Sequence, residues 1–213
     1  MSRDTATLVT IDGLHLEADV NTVPTEVEVR GAVVLAHPHP LYGGDRFHPV
    51  VSSLFEHLPT RGYHTLRFDF RGVNASEGRH DDGDGERLDV AAAVDFLSYL
   101  VDAERDDEIW VGGYSFGAAV GLSVVEPRVS GWIAIAPPLT SDARVLCSGD
   151  PRPKLLVVPQ HDQFCPPDRL DSVVGDWKNT DRSVVTMADH FLNGHADDVA
   201  RRVGDWLTNR VSG

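Results

Sequence analysis

Between residues 31 and 189 the sequence alternates aliphatic runs with longer mixed stretches, and this alternation constrains the fold more than any other feature. The runs are "GAVVLAHP" (31–38), "YHTLRFDF" (63–70), "EIWVGGYS" (108–115), "GWIAIAPP" (131–138), "KLLVVPQ" (154–160) and "SVVTMAD" (183–189). Most lack the apolar–polar alternation of a strand with one wet face, so they read as strands of a mostly parallel sheet covered on both sides. The intervening stretches read as helices. "PVVSSLFEHLPTRG" (49–62) closes at Gly62, and "ERLDVAAAVDFLSYLVDAE" (86–104) is amphipathic, with apolar residues at 88, 92, 96, 99 and 100. "FGAAVGLSVV" (116–125) is a small-residue helix, and "ADDVARRVGDWLTNRV" (196–211) is the last, with a cap expected at Asp197 or Asp198. Ahead of them, "TLVTIDG" and "LHLEADV" predict a β-hairpin turning at Asp12-Gly13, which brings the strand count to eight.

A chain of 213 residues with no repeat and no low-complexity linker is expected to form a single domain spanning 1–213. Its 33 acidic and 19 basic residues give a net charge of −14, which argues against nucleic acid or an anionic membrane as partner. The same charge fits solubility or a salt-rich habitat. No run approaches signal-peptide or membrane-span length, and two cysteines, Cys147 and Cys165, are too few for a disulfide framework. The expected setting is therefore cytoplasmic, and self-association into a homo-oligomer is left open.

In such a sheet, reactive residues belong on loops at the carboxyl ends of strands. Ser115, the segment His37 to Gly44, Asp162 and His190 each follow a strand. Ser115 lies in "GGYSFG", where Gly113 and Gly117 remove Cβ atoms that would collide across a sharp strand-to-helix turn. A serine nucleophile needs a base, and His190 is preferred to His195, which falls at the start of the last helix. The base needs an orienting acid, and Asp162 is preferred to Asp168, which reads as a helix N-cap. An oxyanion hole would take the backbone N–H of Phe116 and one from the loop after residue 36. Within "HPHP" the prolines cannot donate, so His39 is the candidate, with the Leu41 N–H and the Tyr42 hydroxyl as alternatives. His37, Leu41, Tyr42 and Tyr114 are the expected substrate contacts, and Gly43-Gly44 would let the chain pass close to a ligand. His37-x-His39 resembles a metal-binding pair, but no second His/Asp cluster has matching spacing, so neither metal nor cofactor is expected.

These motifs together resemble the α/β-hydrolase superfamily, and within it a group of small, lidless bacterial hydrolases. The resemblance rests on His37 to Gly44 (HPHPLYGG), Arg67 to Val73 (RFDFRGV), Ser76 to Gly78 (SEG), Gly113 to Ala118 (GYSFGA) and His190 to Gly194 (HFLNG). It implies an α/β-hydrolase fold with an eight-stranded sheet, helices on both faces and no substantial lid. It also implies a Ser115–His190–Asp162 triad acting on a small-molecule ester, with a thioesterase or acyltransferase, or a catalytically silent binding protein, as alternatives. Two positions depart from the group: Asn74 stands where glycine is common after "RGV", and "PQHDQ" replaces a glycine-containing approach to the acid. Lid insertions in this fold usually lie between the sixth and seventh strands, and here that interval, 139–153, has room for one short helix. The acidic loop 74–85 is expected to be a solvated turn.

Overall fold

The computed structural model describes residues 3–101, 108–139 and 145–210. Each expected aliphatic run forms a strand. The strands are β1 (Arg3–Val9), β2 (His15–Asn21), β3 (Gly31–Ala36), β4 (Tyr63–Phe68), β5 (Glu108–Tyr114), β6 (Gly131–Ile135), β7 (Lys154–His161) and β8 (Thr180–Asp189). They build one eight-stranded sheet in the order β1-β2-β4-β3-β5-β6-β7-β8. The β1–β2 hairpin and the β2–β4 pairing are antiparallel, and every other pairing is parallel.

Among the described residues five α-helices cover the sheet: α1 (Pro49–His57), α2 (Glu86–Leu97), α3 (Phe116–Leu122), α4 (Pro167–Val174) and α5 (Ala196–Arg210). Because successive side chains of a strand point to opposite faces, each central strand serves two cores. Ala32, Val34, Ile109, Val111, Trp132, Ala134, Leu156 and Val158 pack with α2, α3 and α4 on one side. Val33, Leu35, Trp110, Tyr114, Ile133, Ile135, Leu155 and Val157 pack with α1 and α5 on the other. Uninterrupted aliphatic sequence and two-sided burial are thus one fact.

Several details differ from the sequence reading. α2 stops at Leu97 and buries the expected Ala92 together with Val90, Ala93, Val94 and Leu97, whereas Tyr99 and Leu100 are exposed. The buried face turned because two carboxylates at its start, Glu86 and Asp89, are themselves buried and bonded. Asp89 takes the backbone N–H and the guanidinium of Arg71, and Glu86 takes the N–H groups of Asp81 and Gly83. The Glu86 bonds pin the end of the acidic loop, most of whose residues are exposed, as expected of a solvated turn. Asp168 is not a cap: α4 begins at Pro167 with Pro166 in the capping position, so Asp168 sits in the first turn. Asp197 and Asp198 likewise lie inside the first turn of α5, where negative charge complements the helix dipole. Within the interval 139–153 the described residues carry no helix, and 140–144 lie outside the described residues.

Candidate active site

Ser115 follows β5 directly and immediately precedes α3, with φ 53° and ψ −115°. A non-glycine residue in this region carries local strain of about 1–3 kcal/mol, so its surroundings must force it. They do so through backbone crowding: a Cβ on Gly113 would lie 2.4 Å from the carbonyl group of Gly117, and one on Gly117 would lie 2.5 Å from the carbonyl oxygens of Ala36 and His37. Only glycine at both positions lets α3 pack this close to β3 and β5. Ser115 is held further by its own N–H, which donates to the Ile135 carbonyl at 2.8 Å.

The serine meets its expected partners. Its Oγ lies 2.9 Å from Nε2 of His190, and Nδ1 of that ring lies 2.8 Å from Oδ2 of Asp162. His190 comes immediately after β8 and Asp162 immediately after β7, so three strand ends place the three groups in line. The histidine and the aspartate are 5% and 3% exposed. Asp162 uses its second oxygen, Oδ1, to accept the N–H groups of Phe164 (2.8 Å) and Cys165 (3.0 Å), which fixes the carboxylate plane. The His190 backbone N–H donates to the Gln163 side chain at 3.0 Å, and its carbonyl accepts the Tyr114 hydroxyl at 2.8 Å. The "PQHDQ" sequence thus supplies a side-chain acceptor that steadies His190.

Phe116 opens α3, where a backbone N–H has no carbonyl one turn back to bond to. The His39 ring packs against the Phe116 ring, tilted, with centroids 4.8 Å apart, so the loop after β3 reaches the elbow. Of the alternatives, the Leu41 N–H is engaged by Nδ1 of His39 (3.3 Å), and the Tyr42 side chain is 87% exposed. Leu41 and Tyr42 form an exposed 3-10 turn at the rim of the site.

Two expected substrate contacts are corrected. His37 is fully buried, with Nδ1 bonded to the Pro38 carbonyl at 2.7 Å and Nε2 accepting the Phe70 N–H at 3.0 Å. Both ring nitrogens are thus committed to the backbone. Tyr114 is 2% exposed and points into the α1–α5 core, because strand alternation turns it away from the face on which Ser115 emerges. Its ring packs on His48 and His190, so it buttresses His190 from below. Gly44 also has a different reason from the one expected: a Cβ there would lie 2.2 Å from the Pro38 carbonyl oxygen, so the close approach is of the loop to itself.

The loop after β4 clamps both ends of the 37–46 segment. At one end Phe70 binds His37. At the other, the fully buried Asp69 accepts the Arg46 N–H (2.8 Å) and guanidinium, and also Nδ2 of Asn74 (2.7 Å). Asn74 has φ 49°, a left-handed conformation that asparagine tolerates better than most residues, which accounts for its standing where glycine is common. The sequence reading missed Asp69 and Arg46. An Asp between two phenylalanines at the end of a buried strand was the available signal, since such a group is rarely buried unless paired.

Burial drops the His37 pKa to about 4, against the pull of Asp69 and Asp45. The unfolded chain therefore takes up a proton near pH 6.5 that the folded chain refuses until about pH 4, and stability is lost as pH falls through that window. At about 1.4 kcal/mol per pKa unit, the loss attributable to His37 is about 3 kcal/mol. Urea unfolding of the native chain and of His37→Gln at pH 7 and pH 4.5 measures it. The variant is expected to lose less stability on acidification, whereas identical slopes would contradict the assignment. His39, His48 and His57 also have pKa values lowered by burial, and the comparison between variants removes their shared contribution.

A mostly parallel eight-stranded sheet with a strained serine at the turn after β5 defines an α/β hydrolase. The family model for the α/β hydrolase fold matches residues 31–146, and the chain belongs to that family. It is 30% identical over 208 residues to an uncharacterised protein of Rickettsia prowazekii, covering 92% of this chain and 84% of that one. Among solved structures it is similar to an α/β serine hydrolase homologue from Coxiella burnetii (28% identity, TM-score 0.83, 99% of this chain and 98% of that one). It is also similar to a lidless α/β serine hydrolase from Xanthomonas campestris (25% identity, TM-score 0.79, 96% and 94%). Among the described residues no helix is long and apolar enough to cross a membrane.

Proposed function

We propose that this hydrolase is a serine carboxylesterase that cleaves small to medium ester substrates through an acyl-enzyme on Ser115. The observation that carries the reading is the chain Ser115 Oγ–His190 Nε2 at 2.9 Å and His190 Nδ1–Asp162 at 2.8 Å, built on a serine held at φ 53°. His190 takes the hydroxyl proton as Ser115 attacks the ester carbonyl, and Asp162 stabilises the imidazolium. The N–H groups of Phe116 and His39 receive the oxyanion, each contributing about 3 kcal/mol to the transition state. His190 then returns its proton to the leaving alcohol, and a water that it activates releases the acid and restores Ser115. No step calls for a metal or cofactor, and the partner is the small-molecule substrate.

The test is pre-steady-state hydrolysis of p-nitrophenyl butyrate. The reading predicts a burst of p-nitrophenol stoichiometric with the protein, followed by slower steady turnover as the acyl-enzyme is hydrolysed. Turnover of acyl thioesters with none of aryl esters would transfer the same three residues to a thioesterase.

A further inference from the structure

Two exposed aromatic rings lie against the base itself. The Phe164 ring is 4.4 Å from the His190 ring and the Phe191 ring 5.9 Å, centroid to centroid, and both side chains are 53% exposed. The remaining ring on His190, Tyr114, is buried beneath it. Neither phenylalanine is needed for the fold, since neither belongs to a core cluster. Both are nevertheless held in place through their backbones. The Phe164 N–H is bonded to Oδ1 of Asp162, and the Phe191 N–H to Oδ1 of Asp189 at 3.0 Å. A large apolar side chain left half in water and anchored on the same carboxylate that orients the base marks a binding surface more than a packing accident.

The chemistry of the reaction says which part of a substrate meets these rings. His190 must deliver its proton to the departing oxygen, so the groups around the free edge of its imidazole flank the leaving alcohol. Across the elbow, the exposed Leu41 and Tyr42 stand on the oxyanion loop, next to His39. The two acids nearby already hold backbone donors through Oδ1.

We infer that Phe164 and Phe191 form the leaving-group subsite and select esters of neutral aromatic or bulky apolar alcohols over esters of small alcohols. This deepens the esterase reading above and rests on it.

The experiment varies the alcohol alone. Benzyl butyrate and ethyl butyrate are compared for kcat/KM on the native chain, Phe164→Ala, Phe191→Ala and Phe164→Leu. Comparing ratios across variants cancels the different intrinsic reactivities of the two esters. The benzyl-to-ethyl ratio is expected to fall about tenfold in Phe164→Ala, several-fold in Phe191→Ala, and less in Phe164→Leu, which keeps much of the apolar surface. An unchanged ratio in both alanine variants overturns the inference even if all rates fall, because that would mean the rings merely support His190. Reaction of each variant with a fluorophosphonate is followed in parallel. A native chain that takes no adduct and turns over neither ester would defeat the esterase reading itself, and the subsite with it.

Discussion

Ser115→Ala is expected to lower kcat on an aryl ester by about a million-fold while leaving the fold intact. The size follows from geometry. Ser115 Oγ is the hydroxyl within 2.9 Å of the imidazole, so its removal leaves His190 and the oxyanion donors with nothing to activate. What survives is the slow background supported by binding alone. Stability should move in the opposite direction in a companion variant. Ser115→Gly removes the Cβ from a residue at φ 53° and should gain about 1 kcal/mol while losing the same activity. The measurement is kcat and urea midpoint for both variants. Residual activity above about one per cent in Ser115→Ala, beyond any contaminating esterase, would mean that the nucleophile is elsewhere.

Asp162→Asn should cost about ten-thousand-fold in kcat/KM, and the reason is specific to this loop. Oδ1 of Asp162 already accepts two backbone N–H groups, from Phe164 and Cys165. An asparagine must keep its oxygen there, because its amide would clash with those donors. Its NH2 group is then presented to His190, so Nδ1 must accept and Nε2 must carry the proton. That tautomer cannot take a proton from Ser115. The variant should fold with near-native stability, since every backbone bond of the loop is retained. A loss below about tenfold would show that another carboxylate orients the base. Asp168 and Asp189 would then be the carboxylates to examine.

The parts of the molecule that were legible in the sequence are those where a local rule and the tertiary structure demand the same residue. Gly113 and Gly117 could be read because the crowding that excludes a Cβ arises within six residues of the serine and from the strand next to it. The aliphatic runs could be read because two-sided burial admits little else. Ser115, Asp162 and His190 followed from their places after β5, β7 and β8.

The misreadings share the opposite property. The face of α2 was assigned from Leu88, Ala92, Phe96, Tyr99 and Leu100; Ala92 is buried and Phe96 packs on the core, but the helix ends before Tyr99 and Leu100, and Asp89 turns inward to meet Arg71, 18 residues away. His37 and Tyr114 were assigned to the substrate from their places beside the site, but both ring nitrogens of His37 are bonded to the backbone at Pro38 and Phe70, and Tyr114 is buried in the core beneath α1 and α5. Phe164 and Phe191 escaped notice because nothing in "HDQFCPP" or "DHFLNGH" distinguishes a ring that packs in a core from one left half exposed against an imidazole. That distinction belongs to the folded loops alone.

The most direct test of the account is the intact mass of the native chain and of Ser115→Ala after treatment with a fluorophosphonate. The account predicts a single adduct on the native protein and none on the variant, since only a serine with a base at 2.9 Å is activated enough to displace fluoride from phosphorus. A folded native protein that stays unmodified, or a variant that is labelled as readily, would contradict it.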